Sequence, residues 1–255
     1  GEWLERVADA LAERRAELAL GEDDRAELAD RAEHLAGLAD DLVEEMEFGF
    51  LCDPQRGLFS IGYNVMDGRL DPSFYDALAS EARLTSFVAI ATGQVRQEHW
   101  FKLGRSLTPT GNERALLSWS ASMFEYFMPL LVMRAYPGTL LEETYRAVVA
   151  RQMHYGASRK VPWGISESAY NAQDLDRNYQ YRAFGVPGLG LKRGLADDLV
   201  IAPYASMLAA PLAAADVLHN LERLERLGMS GRYGFYEAID FTPLRMPEGT
   251  ARGVV

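Results

Sequence analysis

The stretch that most limits how this chain can fold is "SWSASMFEYFMPLLVMRAY", residues 118–136. It is apolar on nearly every side of a helical projection. Read as a helix, it has no face to give to water and must lie inside the domain, wrapped by other elements. The neighbouring segments supply the wrapping. "DPSFYDALASEARLTSFVAIATG" (71–93) is the clearest helix, with Pro72 near its start and Gly93 at its end, and "QEHWFKLG" is a short one. "LLEETYRAVVARQMHYG" closes at Gly156, and "APYASMLAAPLAAADVLHNLERLERLG" reads as two helices broken at Pro211. "FLCD", "PQRG" and "LFSIGYN" have the residue types of a strand, a turn and a strand, and "GRYGFYEAIDFTPLR" is partly irregular. There is no tandem βα pattern. The body, residues 49–255, is expected to be all-α: helical hairpins around a common centre, with a short β-hairpin and long aromatic and glycine-rich loops.

Residues 1–48 differ in character. Residues 2–20 and 24–47 read as two helices with a break at "LGEDD", and Leu28, Leu35, Leu38 and Leu42 recur at helical spacing. Of the chain's 37 acidic and 26 basic residues, 16 and 5 fall within residues 1–50, which leaves 21 of each for the remainder. The net charge of −11 therefore belongs to the N-terminal helical pair and says nothing about what the body binds. Basic stripes with interleaved aromatics are absent, which argues against nucleic acid as a partner. No uncharged apolar run reaches about 18 residues, so no membrane span is expected, and "GEWLERVADALAERR" lacks the features of a signal peptide. The one cysteine, Cys52, excludes an internal disulfide and fits a reducing compartment.

Four glutamates stand where glutamates are rarely found. Glu81 shares a helical face with Ala77, Leu78, Leu84, Thr85 and Val88, where desolvation would favour its protonated form. Glu125 lies among Ala121, Ser122, Met128 and Pro129, and Glu237 among Tyr233, Phe235, Tyr236 and Phe241. Glu167 is the lone charge in "VPWGISESAYN". A buried carboxylate can simply cap a helix or pair with an arginine such as Arg83, Arg182 or Arg193. Here each is accompanied by aromatic residues or glycine turns. Flat rings stack on sugars and paired acids cleave glycosidic bonds. Trp100, Trp119, Trp163, Tyr179, Tyr181 and Tyr236 are the candidate rings, any of which could equally be core.

Other chemistries find little support. His34, His99, His154 and His219 are scattered without metal-ligand spacing, so no metal site is expected. "GVPGLGLKRG" has neither the spacing nor the strand–turn–helix setting of a dinucleotide or Walker loop. "WGISES" lacks the second glycine of a serine-hydrolase elbow. No cofactor is implied.

Taken together, "LFSIGYN", "YDALASEARLTSFVAIATG", "QEHWFKLGR", "LLSWSASMFEYFMPLL", "VPWGISESAYN", "YQYRAFGVPGLGLKRGL" and "GRYGFYEAIDFT" resemble the glycoamylase-like central region of bacterial cyclic β-1,2-glucan synthases. The likeness runs from about residue 45 to the end, with the motifs in order. It implies an (α/α)6-barrel whose cleft cuts a linear β-1,2-glucan and re-closes it on itself, in partnership with the glycosyltransferase and phosphorylase regions of a larger synthase. It places the domain on the cytoplasmic side of an inner-membrane enzyme. Eight or nine helices fall short of the twelve such a toroid requires, so the barrel is expected to be incomplete, cut at "ARGVV", with residues 1–48 a linker or part of its wall.

Breaking one β-1,2 bond and forming another retains the anomeric configuration, which calls for two displacements and two carboxylates about 5 Å apart. The more desolvated Glu81 suits the acid, and Glu167, beside Gly164 and two serines, suits the nucleophile. The resemblance points to the same two segments. Glu125 and Glu237 are reserves that would accept bonds from sugar hydroxyls. Trp163, Tyr179, Tyr181 and Arg182 are expected on the acceptor side. An endo-β-1,2-glucanase of the same fold is the alternative enzyme, distinguished by its linear products. A non-catalytic glucan-holding module is the alternative of another class.

Overall fold

The structure is a computed structural model that describes residues 2–19, 21–247 and 253–254; the side chains of Glu2, Trp3, Leu4, Ser80 and Glu81 lie outside the description. The chain divides into two compact units, residues 1–47 and 48–255. The first consists of α1 (Glu2–Leu18) and α2 (Glu22–Glu44). Glu22, Asp23 and Asp24 occupy the first turn of α2, where the unpaired N–H groups favour negative charge. Leu28, Leu35, Leu38 and Leu42 on α2 are all exposed.

The second unit begins with small antiparallel pairs. β1 (Cys52–Asp53) pairs with β2 (Leu58–Phe59), and β3 (Tyr63–Asn64) with β4 (Arg69–Leu70). The first hairpin follows from its turn chemistry. The Asp53 carboxylate accepts from the N–H groups of Gln55 and Arg56 at 2.8 Å each, and Gly57 takes the left-handed φ of 63° that closes the turn. There follow α3 (Ser80–Ala91), α4 (Glu98–Lys102) and the hairpin β5 (Leu107–Thr110) with β6 (Glu113–Leu116). Then come α5 (Met123–Phe127) and α6 (Leu140–Ser158). After them lies the hairpin β7 (Ser168–Gln173) with β8 (Tyr179–Arg182). The chain continues through β9 (Val200–Ile201), α7 (Pro203–Met207), α8 (Ala210–Arg226), the pair β10 (Ser230–Gly231) and β11 (Gly234–Phe235), and β12 (Ile239–Asp240), which returns to β9.

Helix α6 illustrates how local chemistry sets an element. Thr139 caps it by accepting from the Glu142 N–H at 3.3 Å, and Glu142 reaches back to the N–H of Gly138 at 3.0 Å. One face of α6 then buries Tyr145, Val148, Val149 and Gln152. The main core gathers that face with Met123, Tyr126 and Phe127 of α5, Ile165, Phe184, Val186 and Leu189 of the loops, Val200 and Ile201 of β9, and Leu224 of α8.

Several expectations change. The body is helix-rich but not all-α: six two-stranded sheets occur among the described residues. The apolar stretch 118–136 is not one helix. Ser122 caps a five-residue α5, Pro129 has no N–H to continue the ladder, and a 3₁₀ turn, Met128–Leu131, ends it. Met123, Tyr126 and Phe127 are buried as expected, but Leu131, Val132 and Tyr136 are exposed. In 71–93 the helix starts only at Ser80. Residues 71–79 are instead held in an extended and turned path by the Ser60–Phe74 bridge and by the Asp76 carboxylate, which accepts from the N–H of Leu78 at 2.8 Å. Pro211 begins α8 rather than breaking a helix, and the kink falls at Ala213, with φ −142° and ψ 49°.

Candidate active site

The segment around Glu167 is a strap that runs through the core without a strand partner. Its backbone is held by side chains and by single bonds from the N–H groups of Ala202 to the Gly164 carbonyl at 2.9 Å and of Met123 to the Ile165 carbonyl at 3.2 Å. Asn220 of α8 accepts from the Trp163 N–H at 3.0 Å and donates to the Trp163 carbonyl at 2.7 Å. Gln152 of α6 does the same for Ile165, at 2.9 Å in each direction. Each amide presents one donor and one acceptor to a backbone that needs both. Ser206 adds a bond to the Trp163 carbonyl at 2.9 Å. Gly164, at φ +123°, lets the strap approach α7: a Cβ there would lie 2.7 Å from Ser206 Oγ. A segment with its polar backbone satisfied in the core needs no charged neighbours, which accounts for the isolation of Glu167 at its end.

Glu167 emerges half-buried where the strap becomes β7. The pairing of Ala169 with Tyr181 puts Glu167, two residues earlier, on the face of the hairpin that carries Tyr181 and, two residues back along β8, Tyr179. The Tyr181 hydroxyl donates to Glu167 Oε2 at 3.3 Å. Its ring is 62% exposed, but its hydroxyl turns back towards the carboxylates. Burial of that end, followed by the charges of Glu167 and Glu237, pushes the phenol up to about 12. Tyr181 is therefore a neutral donor at all physiological pH values. Glu237 is exposed, and its Oε1 accepts from the Ala169 N–H at 3.0 Å. Tyr179, Tyr236, Glu237, Asn171 and Asp240 border a cleft of about 540 Å³ beside this hairpin, a size suited to a small chain of sugar rings.

The loop carrying Trp119 adjoins the strap. Glu125, half-buried, accepts from the N–H groups of Trp119 and Ser120 at 2.9 and 2.8 Å and from the Ser120 hydroxyl at 2.5 Å. Its oxygens are engaged in shaping the loop, which differs from the apolar surroundings expected for it. Ala121 sits there fully buried at φ +59°, a conformation costly for a residue with a Cβ. Gly185 and Gly190 make room for it: a Cβ at Gly185 would lie 1.8 Å from the Ser120 carbonyl oxygen. The outcome of this crowding is Trp119 held with its ring 67% exposed. Loop and strap are joined, because the N–H groups of Met123 and Phe124 donate to the Ile165 carbonyl at 3.2 Å and to Ser166 Oγ at 3.0 Å.

Behind the hairpin lies an ion-pair network that the sequence reading missed. Asp198 pairs with Arg182 at 3.0 Å and with Arg245 at 2.6 Å, and Arg245 pairs with buried Asp240 at 2.6 Å. Asp240 also accepts from the Asn171 N–H of β7 at 3.2 Å. The signal was available: Asp240 is a carboxylate between Ile239 and Phe241, the same anomaly that singles out Glu81. Tyr204, whose hydroxyl meets Ser166 Oγ and the Glu167 carbonyl of the strap, was missed as well.

The structure puts Glu167, Tyr179 and Tyr181 at one hairpin and Tyr179, Tyr236 and Glu237 around the cleft beside it, and sets Trp119 and Glu125 on the loop joined to the strap. Arg182 lies on the hairpin but is drawn towards Asp198. Trp163 is corrected: it is 7% exposed and packed in the core, with no face open to a ligand. The Glu81 backbone lies in the first turn of α3, and its side chain is outside the described residues. No group of residues fit to hold a metal ion occurs among the described residues, and no described helix is long and apolar enough to cross a membrane.

The family model for Glycoamylase (glucoamylase) matches residues 73–250. Among characterised relatives, a cyclic beta-(1,2)-glucan synthase, NdvB, of Rhizobium meliloti (strain 1021) is 53% identical over 217 residues, covering 85% of this chain and 8% of that protein. The chain thus spans less than a tenth of the relative's length.

Proposed function

Because the chain belongs to the glycoamylase family, we propose that it is the cyclisation domain of a cyclic β-1,2-glucan synthase: a retaining transglycosylase that transfers a linear β-1,2-glucan onto its own other end. The observation that carries this reading is Glu167, held at the end of a strap clamped by Gln152 and Asn220, hydrogen-bonded by a neutral phenol and set on the hairpin beside an aromatic-edged cleft. In the first displacement the Glu167 carboxylate attacks the anomeric carbon, the glycosidic C–O bond breaks, and the acid gives its proton to the departing oxygen. In the second, the same residue, now a base, takes the proton from the incoming 2-hydroxyl as the new C–O bond forms and Glu167 leaves. Glu81 is assigned the acid/base role on its place in the sequence alone.

Tyr181 stabilises the carboxylate before attack and after departure. Tyr179 and Tyr236, on the cleft side, and Trp119, on the loop side, are suited to stacking on sugar rings either side of the reacting bond. Glu237 has an oxygen left to accept from a sugar hydroxyl. Glu125 acts through the Trp119 loop. The helices of residues 48–255 would contribute to an (α/α)6 toroid. The relative's size, of which this chain covers 8%, supports further partners on one polypeptide; we assign these as glycosyltransferase and phosphorylase regions, at the cytoplasmic face of the inner membrane, on the resemblance of the sequence motifs.

The test is mass spectrometry of products from linear β-1,2-glucan. Rings, each lighter by one water than the linear chain of equal length, should form with the wild type and vanish in Glu167→Gln and Glu81→Gln. Linear fragments alone would make the domain a glucanase. Substrate bound but unchanged would make it a holding module.

A further inference from the structure

A chain of buried polar groups connects the helix that bears Glu81 to the backbone of Glu167. It starts at Arg83 on α3, which is 1% exposed and donates from Nη2 to the Tyr126 carbonyl of α5 at 3.2 Å. Two residues earlier on α5, the Phe124 N–H donates to Ser166 Oγ at 3.0 Å. Ser166 Oγ lies 2.8 Å from the Tyr204 hydroxyl, which itself lies 2.7 Å from the Glu167 carbonyl oxygen. Proton counting fixes the directions. A carbonyl can only accept, so the single Tyr204 proton goes to Glu167, and the Ser166 hydroxyl donates to Tyr204. The path then runs one way from Arg83 Nη2 to the Glu167 carbonyl.

The path is not what simple stability would produce. Arg83 carries a guanidinium into the core while its Nε and Nη1 make no hydrogen bond, an arrangement that costs stability. Tyr204 uses its one proton on the carbonyl of the residue assigned to attack the sugar. Such expense is characteristic of groups that fix geometry for chemistry.

We propose that Arg83, Ser166 and Tyr204 form a strut that sets the spacing between the α3 turn holding Glu81 and the backbone of Glu167, which makes Tyr204 a positioning residue for the double displacement. The proposal rests on the assignment of Glu81 and Glu167 as the reacting pair. Nucleophile and acid/base must both meet one anomeric centre, and an error of about 1 Å in their spacing can cost about a hundredfold in rate.

Tyr204→Phe removes one oxygen and keeps the ring. The variant should lower kcat for ring formation by roughly ten- to a hundredfold, with KM within about twofold of wild type, because the sugar platforms are untouched. Arg83→Met should lower kcat comparably, and the double variant should be hardly slower than either single one, since both break one strut. A folded Tyr204→Phe with unchanged kcat, a rise in KM alone, or multiplicative losses in the double variant would overturn the strut. Amide hydrogen exchange over residues 163–169 provides a reading independent of turnover. Tyr204→Phe should raise exchange there and leave α6 and α8 protected, and an unchanged strap would refute the proposal even if the chain makes no rings. Absence of rings from the wild type, with the exchange change present, would fault the functional reading and leave the strut standing.

Discussion

Gln152→Leu is the sharpest test of the strap. The side chain is fully buried on α6, and leucine has similar volume, so packing changes little. What disappears is the pair of bonds to the N–H and carbonyl of Ile165, each 2.9 Å long. The Ile165 carbonyl keeps its bond from the Met123 N–H at 3.2 Å, so its second bond is lost at about 1 kcal/mol, whereas the Ile165 N–H is left unpaired in the core at about 1–3 kcal/mol. The expected loss is therefore roughly 2–4 kcal/mol, a large share of a stability of about 5–15 kcal/mol. For a chain of this size each kcal/mol moves Tm by about 2–4 °C, so the central value of about 3 kcal/mol corresponds to a fall of roughly 6–12 °C. The assay is a thermal melt followed by circular dichroism, paired with ring formation per folded molecule at a temperature where the variant is native. Both should drop, because Glu167 is two residues beyond the lost clamp. Gln152→Glu offers an internal check. Its carboxyl can donate and accept only when protonated, and burial raises its pKa above the unfolded value of about 4.3. The deficit should therefore shrink as pH falls and reappear as pH rises through the raised folded value. A Gln152→Leu protein melting within about 2 °C of wild type would refute the claim that side-chain amides hold this segment.

Other outcomes follow from the same geometry. Gly185→Ala forces a Cβ to within 1.8 Å of the Ser120 carbonyl oxygen; the backbone must move, and a cost of about 3 kcal/mol or more should show as a Tm lower by roughly 6–12 °C. Trp119→Ala should leave Tm nearly unchanged while weakening glucan binding about five- to thirtyfold, the equivalent of about 1–2 kcal/mol of apolar contact, readable by calorimetric titration with the Glu167→Gln protein. Because the folded-state pKa of Tyr181 is raised to about 12, its contribution to stability is present below its unfolded value of about 10 and is lost as pH rises from there towards 12. Denaturation midpoints of wild type should fall faster across that window than those of Tyr181→Phe, and parallel curves would contradict the Tyr181–Glu167 contact.

What could be read from the residues alone was whatever local chemistry decides. Asp53, Pro54 and Gly57 specify the β1–β2 turn by themselves, and Thr139 with Glu142 starts α6 without reference to anything distant. Glu167 could be noticed because a charge in an apolar run is visible in one dimension. Residues 118–136 were misread because apolarity on all sides reports burial and not helicity; Ser118 and Trp119 pair with the loop at Leu189–Lys192, a partner about 70 residues away that no local pattern announces. The same distance hid Gln152 and Asn220. An amide on a helix looks like any solvated position until the strap it holds is known. Tyr204 was hidden because its ring packs as core tyrosines do and only its oxygen does something else.

The amide clamps have a consequence for how this site can change. A β-strand is positioned by its neighbours' backbones, and a loop by its own turn residues. The strap is held by Gln152 and Asn220, residues on other elements, through main-chain atoms that every amino acid possesses. Beyond Gly164, Ser166 and the core side chains of Trp163 and Ile165, its path does not depend on the side chains it presents to the cleft. Substitutions at Glu167, Ser168 and Ala169 can alter what the cleft binds or how it reacts while the backbone that presents them stays in place. A scaffold with that separation lets hydrolysis, transfer or simple binding be exchanged by a few point changes.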